Sequence, residues 1–123
     1  MIKLIASDID GTLMPYGRTE LDPRLFPIIH RLREKGVLFC PASGRQFHSL
    51  RHLFAPIAND IAFLCENGAI LYGAGTEDSA PVLSKTAMPR ESALELAHDI
   101  LALPAGAHIV ISGANTSYLV GDE

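Results

Sequence analysis

No apolar run among the 123 residues approaches the roughly 18 consecutive positions of a membrane span. The apolar start, Met1 to Ala6, is too short for a secretory signal before it meets Asp8. Cysteine is scarce. Cys40 and Cys65 each end an apolar run, their spacing resembles neither a CxxC metal site nor a redox pair, and both read as reduced core thiols. Basic residues are few and scattered: ten Lys and Arg against fourteen Asp and Glu give a net charge of -4, with no basic block to hold a nucleic acid. There is no internal repeat, low-complexity tract or flexible linker. These absences lead to the expectation of a soluble, cytoplasmic protein with neither a nucleic-acid nor a membrane partner. The 48% hydrophobic content supports one domain with a buried core, with or without an appendage, in a chain too short for two ordinary domains.

Along the chain, Lys3 to Ser7 is a short apolar run bounded by polar residues, the pattern of a strand buried on both faces of a parallel sheet. Residues 10–21 hold Gly11, Pro15 and Gly17 and lack helical periodicity, which predicts a loop or small hairpin. Asp22 offers an N-cap and Pro23 a first helical position. A helix is predicted from Pro23 to Lys35 with Leu25, Ile28, Ile29 and Leu32 inward and Gly36 as its stop. Val37 to Cys40 and Ile61 to Cys65 read as strands, with a second helix from Gln46 to Phe54 between them. This strand–helix alternation predicts an α/β fold: a doubly wound, Rossmann-like parallel sheet. After Asn67-Gly68 the character changes. A hairpin of 69–72 with 82–86, a helix from Pro89 to Leu101 with Leu94, Ala97, Ile100 and Leu101 on its apolar face, and strands 108–112 and 117–120 around the turn at 113–115 suggest an α+β segment. The expected division is 1–68 and 69–123.

In an open parallel sheet, ligands bind beyond the carboxyl ends of the strands, and Asp8 stands where the first strand ends. Asp10 lies two residues on, so both carboxylates project to one side while the chain stays extended. Two such carboxylates repel unless a cation or a shared proton intervenes. Magnesium, which takes oxygen ligands from one or two carboxylates and from substrate phosphate, meets that need. A carboxylate can also attack phosphorus to give an aspartyl-phosphate that water later cleaves. Gly11 permits a sharp turn with room for a phosphate, and Thr12 supplies a hydroxyl. The second strand ends in Pro41-Ala42-Ser43-Gly44-Arg45 before a helix, where a hydroxyl and backbone N–H groups can hold an anion.

The run Asp8-Ile9-Asp10-Gly11-Thr12-Leu13 after an apolar strand resembles the first motif of the haloacid dehalogenase-like phosphatases, in particular their Cof-type branch. Two Asp, a Gly and a Thr at fixed positions arise by chance at roughly one site in 10⁵. The resemblance implies that Asp8 is the nucleophile and Asp10 the general acid and base, with magnesium on the Asp8 carboxylate and the Asp10 backbone carbonyl. Ser43-Gly44-Arg45 is similar to the second motif, which gives Ser43 and the Gly44 amide to the transferring phosphoryl group. Arg45 matches a residue common in the branch, as a substrate contact or a structural ion pair. Glu66-Asn67-Gly68-Ala69 resembles the exit from the core into the inserted cap, and this implies that Asn67 and Gly68 lie near the substrate, a small phosphorylated metabolite.

The third-motif lysine and fourth-motif acidic residues of that family have no match here. Gly121-Asp122 is rejected as the last motif, because the family's acidic residues follow the whole cap. The resemblance therefore implies an incomplete sheet with part of a cap: an amino-terminal portion of a longer phosphatase, or a truncation that self-associates or pairs through an open sheet edge. A non-catalytic phosphate- or metal-binding unit and a receiver-like signalling domain are the alternatives, and Asp-x-Asp-Gly-Thr favours the phosphatase over the receiver. His48 and His52 at i,i+4 suit a solvated helix face better than zinc, since no Glu follows the first.

Overall fold

The apolar run after Lys3 forms strand β1 (Leu4–Ser7) in a computed structural model that describes the whole chain except residues 77–78, 105–106, 114–115 and 121–123. β1 pairs in parallel with β2 (Leu38–Pro41), Leu4 opposite Leu38 through Ser7 opposite Pro41. Strand β3 (Phe63–Cys65) continues the parallel arrangement through a bridge between Ala42 and Leu64. The Ser43 and Ala62 N–H groups donate to the Leu64 and Phe39 carbonyls at 3.0 and 3.1 Å. Beyond β3 the sheet turns antiparallel with β4 (Ile70–Tyr72) and β5 (Val82–Lys85), and the pairing of β4 with β5 is the hairpin expected of 69–72 with 82–86.

Helix α1 (Leu25–Glu34) joins β1 to β2, and α2 (Phe47–Leu53) with a 3₁₀ turn (Ala55–Ile57) joins β2 to β3. The α/β architecture matches the expectation, while several boundaries and faces are corrected. Asp22 does not cap α1. Its carboxylate accepts the Arg24 N–H at 2.9 Å and the Arg24 guanidinium, a local turn that delays the helix by two residues from the predicted Pro23. Ile28 is 55% exposed rather than inward, and Ile29 alone of the predicted face is fully buried.

Burial follows the sheet. Phe39, Cys40 and Pro41 are successive residues of β2 and all buried, so both faces of that strand are covered. β1 departs from the double-sided burial predicted for it: Leu4 is 55% exposed and Ala6 is exposed, because among the described residues no strand pairs with its other edge. The core joins Ile9, Met14 and Leu21 from the loop after β1 to Ile29, Phe39, Phe47, Leu50, Phe54, Phe63 and Tyr72. Phe47 stacks on Tyr72 with ring centres 4.1 Å apart and meets Phe63 edge-on at 5.2 Å, locking the start of α2 onto β3 and β4.

Two compact units make up the chain, Met1–Lys85 and Thr86–Glu123, so the boundary expected at 68/69 falls inside the first. The second unit holds α3 (Arg90–Leu101) and the antiparallel pair β6 (Ile109–Ser112) and β7 (Ser117–Val120). Its helix half-buries Ala93, Ala97 and Ile100, spaced i, i+4 and i+7, while the predicted inward Leu94 and Leu101 are each 47% exposed. The predicted turn residues 114–115 and the Gly121-Asp122 pair lie outside the described residues. No described helix is long and apolar enough to cross a membrane.

Candidate active site

The chain leaves β1 with alternating side chains: Asp8 is exposed, Ile9 is fully buried and Asp10 is half-buried. Burying Ile9 in the core turns its two neighbours the opposite way, so both carboxylates leave the chain on the side away from the core, just past the carboxyl end of β1. The Ile9 carbonyl then accepts the N–H groups of Thr12 at 3.1 Å and Met14 at 2.9 Å, and the Gly11 N–H donates to the Met14 carbonyl at 2.8 Å. This tight loop returns the Thr12 hydroxyl to the Asp8 carboxylate, 3.1 Å from Oδ2. It also requires glycine at position 11, where φ is +84° and a Cβ would come within 2.7 Å of the Tyr16 ring.

Across from Asp8, the loop after β2 is tied down strand by strand. The Ala42 N–H donates to the Ser7 carbonyl at 2.8 Å, and the Ser43 N–H reaches Leu64 of β3. The Ser43 hydroxyl accepts the Arg45 N–H at 3.1 Å, which leaves its own proton available to donate to an anion. Gly44 is exposed at the apex of this loop.

Arg45 supplies the strongest link. Its Nε and Nη2 donate to Asp10 Oδ2 and Oδ1 at 2.9 and 2.7 Å, a two-pronged pair, and its Nη1 donates to Ser49 of α2 at 3.2 Å. Of the two roles left open for Arg45 by the sequence, the ion pair is the one seen here. Hydrogen bonding by the guanidinium, helped by its charge and opposed by desolvation, holds the Asp10 carboxyl below its ordinary range. Asp10 is thus a carboxylate at neutral pH, in the state to accept a proton.

Asn67 and Gly68 follow β3 in a 3₁₀ turn, Glu66–Gly68, and both are exposed. The Asn67 N–H donates to the Ser43 carbonyl at 3.1 Å, so the turn joins the loop after β2. Asp8, Asp10, Gly11, Thr12, Ser43, Gly44, Arg45, Asn67 and Gly68 therefore lie on three connected segments at one end of the parallel strands. Two contributors went unread in the sequence. Ser49 of α2 meets an Arg45 that precedes the helix, so helical spacing does not point to it, and nothing in the sequence signals that Tyr16 folds over Gly11.

The groups that the resemblance would give to a cation, the Asp8 carboxylate and the Asp10 backbone carbonyl, are all oxygen, and the Asp8 side chain is exposed. Hard oxygen donors so few in number suit magnesium, which keeps several waters and shares substrate phosphate. Among the described residues no cluster of three or more His, Cys, Asp or Glu side chains forms.

The family model of the haloacid dehalogenase-like hydrolases matches residues 5–122. The chain is 35% identical over 117 residues to the 5-amino-6-(5-phospho-D-ribitylamino)uracil phosphatase YbjI of Escherichia coli (strain K12), covering 95% of this chain and 41% of that protein. It is 32% identical over 94 residues to the pyridoxal phosphate phosphatase YbhA of the same organism, covering 76% of this chain and 33% of that one. Among solved structures, a protein of Streptococcus mutans UA159 superposes with a TM-score of 0.79 at 27% identity, over 97% of this chain and 43% of the other. A Thermotoga maritima protein shares the fold with a TM-score of 0.74 at 22% identity, over 97% of this chain and 42% of its own. The chain thus spans about two fifths of YbjI. With the family model matching residues 5–122 and phosphatases among its relatives, the chain belongs to the haloacid dehalogenase-like hydrolases, in their Cof-type branch.

Proposed function

We propose that this chain carries the phosphoryl-accepting half of a magnesium-dependent phosphohydrolase that acts on small phosphorylated metabolites in the cytoplasm. The observation that carries the reading is the convergence of Asp8, Asp10 and the Ser43–Arg45 loop, joined by the Arg45–Asp10 pair. The family match and the phosphatase names of relatives such as YbjI and YbhA support the reaction class.

In this mechanism an Asp8 carboxylate oxygen attacks the phosphorus of a phosphomonoester, and the ester P–O bond breaks as the Asp8–phosphorus bond forms. Asp10 must carry a proton for this step, which its pair with Arg45 opposes in the free protein, and it gives that proton to the departing alkoxide. The resulting carboxylate takes a proton from water, which cleaves the aspartyl-phosphate and releases inorganic phosphate. The Ser43 hydroxyl and the Gly44 amide donate hydrogen bonds to the phosphoryl oxygens, where negative charge is greatest. Thr12 fixes the Asp8 rotamer through its bond to Oδ2. Asp8 and the Asp10 backbone carbonyl would hold magnesium, which supplies positive charge against the phosphoryl oxygens and relieves repulsion between nucleophile and substrate. Substrate-facing contacts of Gly11, Asn67 and Gly68 belong to the same reading, as does a cap segment. We start that segment at Thr86, where the compact units part, because β4 and β5 extend the sheet of the first unit.

Hydrolysis of an aryl phosphate with magnesium tests the proposal, comparing this chain, its Asp8→Asn variant and any longer product of the same gene. Turnover that vanishes with Asp8→Asn supports it. Turnover indifferent to that change overturns the mechanism. A chain that binds phosphate and magnesium but turns nothing over, alone or within a longer product, would favour a non-catalytic binding unit.

A further inference from the structure

The turn after β3 is built at a conformational cost. Glu66 and Asn67 both occupy the left-handed region, with φ of 53° and 54°, and Gly68 follows at φ 93°. Asn tolerates that region and Glu does not favour it, so two consecutive non-glycine residues there persist only because their surroundings hold them. The return is visible in the hydrogen bonds. In an extended strand successive N–H groups point in opposite directions, yet here those of Glu66 and Asn67 both donate to the loop after β2, to the Arg45 and Ser43 carbonyls at 3.1 Å each. The curled backbone brackets Gly44 between two bonds.

The Asn67 side chain completes the bracket. A Cβ built on Gly44 would lie 2.9 Å from Asn67 Oδ1 and 3.2 Å from Nδ2, so the carboxamide rests on the bare face of that glycine. Gly44 has no positive φ that would demand glycine. Its small size is required by the close approach of Asn67, not by the backbone.

We infer that Asn67 is a positioning residue: its carboxamide, pressed on Gly44, together with its N–H on Ser43, fixes the Ser43-Gly44-Arg45 loop in the shape that receives a phosphoryl group. The inference rests on the reading of that loop given above and gives Asn67 a role in addition to the substrate-facing one. Asn67 acts through Gly44, and the left-handed turn is the device that brings it there.

The test uses the full chain and four proteins: wild type, Asn67→Gly, Gly44→Ala and the double variant. Asn67→Gly keeps the left-handed backbone and relieves its strain while removing the carboxamide. Inorganic phosphate with magnesium is titrated while the Ser43, Gly44 and Arg45 amide resonances are followed, and each protein is melted. Asn67→Gly is expected to weaken phosphate about tenfold, as loss of supporting-shell contacts does, and to move the Gly44 resonance in the unliganded protein. Gly44→Ala is expected to lower the melting temperature of the wild type and to do so much less in the Asn67→Gly background, where nothing meets the new methyl. Phosphate affinity and a Gly44 resonance unchanged in Asn67→Gly would overturn the inference. So would a Gly44→Ala loss of the same size in both backgrounds. A wild type that takes up no phosphate would instead overturn the phosphate-loop reading, and the coupling between positions 44 and 67 in the melts would still decide whether Asn67 shapes the loop.

Discussion

At the scale of single residues, the Arg45–Asp10 pair makes the most direct titration statement. Asp10 has a folded-state pKa below its ordinary value of 3.8 because Arg45 hydrogen-bonds the charged form. A depressed carboxyl pKa contributes stability that is fully present above the unfolded value and is lost as pH falls through it toward the lowered folded value. The side chains are 34% and 43% exposed, so solvent screens the pair and its worth is at most about 1 kcal/mol. Arg45→Ala should therefore raise the Asp10 pKa toward the ordinary value, measured by carboxyl carbon NMR, and flatten the loss of stability below about pH 4. Cys65 offers a second check. Burial first, then neighbouring negative charge, pushes its thiol up to about 12, so it should resist a thiol reagent at neutral pH in the folded protein and react once denatured. The reading of both cysteines as core thiols was available from their place at the ends of apolar runs. That of Arg45 was not, because an arginine after Ser-Gly has the same sequence whether it faces substrate or a carboxylate 35 positions away.

At the scale of elements, the path from β1 into its loop decides where the two aspartates point. Ile9 is the pivot, with no exposed surface and acidic neighbours on either side. Ile9→Ala removes buried carbons and leaves a cavity, and should cost about 2–5 kcal/mol of stability by denaturant unfolding. It should also lower the rate of aryl phosphate hydrolysis more than it lowers phosphate affinity, because the Ser43–Arg45 loop is tied to β1 and β3 rather than to Ile9. Strand identity and parallel pairing were legible here, since apolar runs of strand length alternating with amphipathic stretches admit few arrangements. Faces were less so. Ile28, Leu94 and Leu101 fit a helical stripe by spacing yet stand 55%, 47% and 47% exposed. Periodicity gives the direction of a stripe, and the neighbours that define its edges lie far off in sequence. The start of α1 was missed for a local reason, Asp22 bonding Arg24 in a turn where a cap was expected.

At the scale of the whole molecule, the burial of β1 was the least legible property of the fold. An apolar run records that a strand suits a dry environment and says nothing of which neighbour provides it. Leu4 at 55% exposure shows the difference between composition and packing. Pairing of β4 with β3 in register Phe63 to Tyr72 keeps the hairpin with the first sheet. Every buried hydrophobic residue of the described structure lies between Ile9 and Tyr72. Those residues belong to the first unit, so the apolar burial that offsets chain entropy is concentrated there. A chain ending at Lys85 should therefore keep its cooperative thermal transition, with a midpoint within about 4 °C of the full chain, a shift corresponding to roughly 1 kcal/mol or less for a domain of this size. Residues 86–123 made alone should show no such transition. The opposite result, a first unit that melts gradually without residues 86–123, would mean that its core draws stability from the second unit.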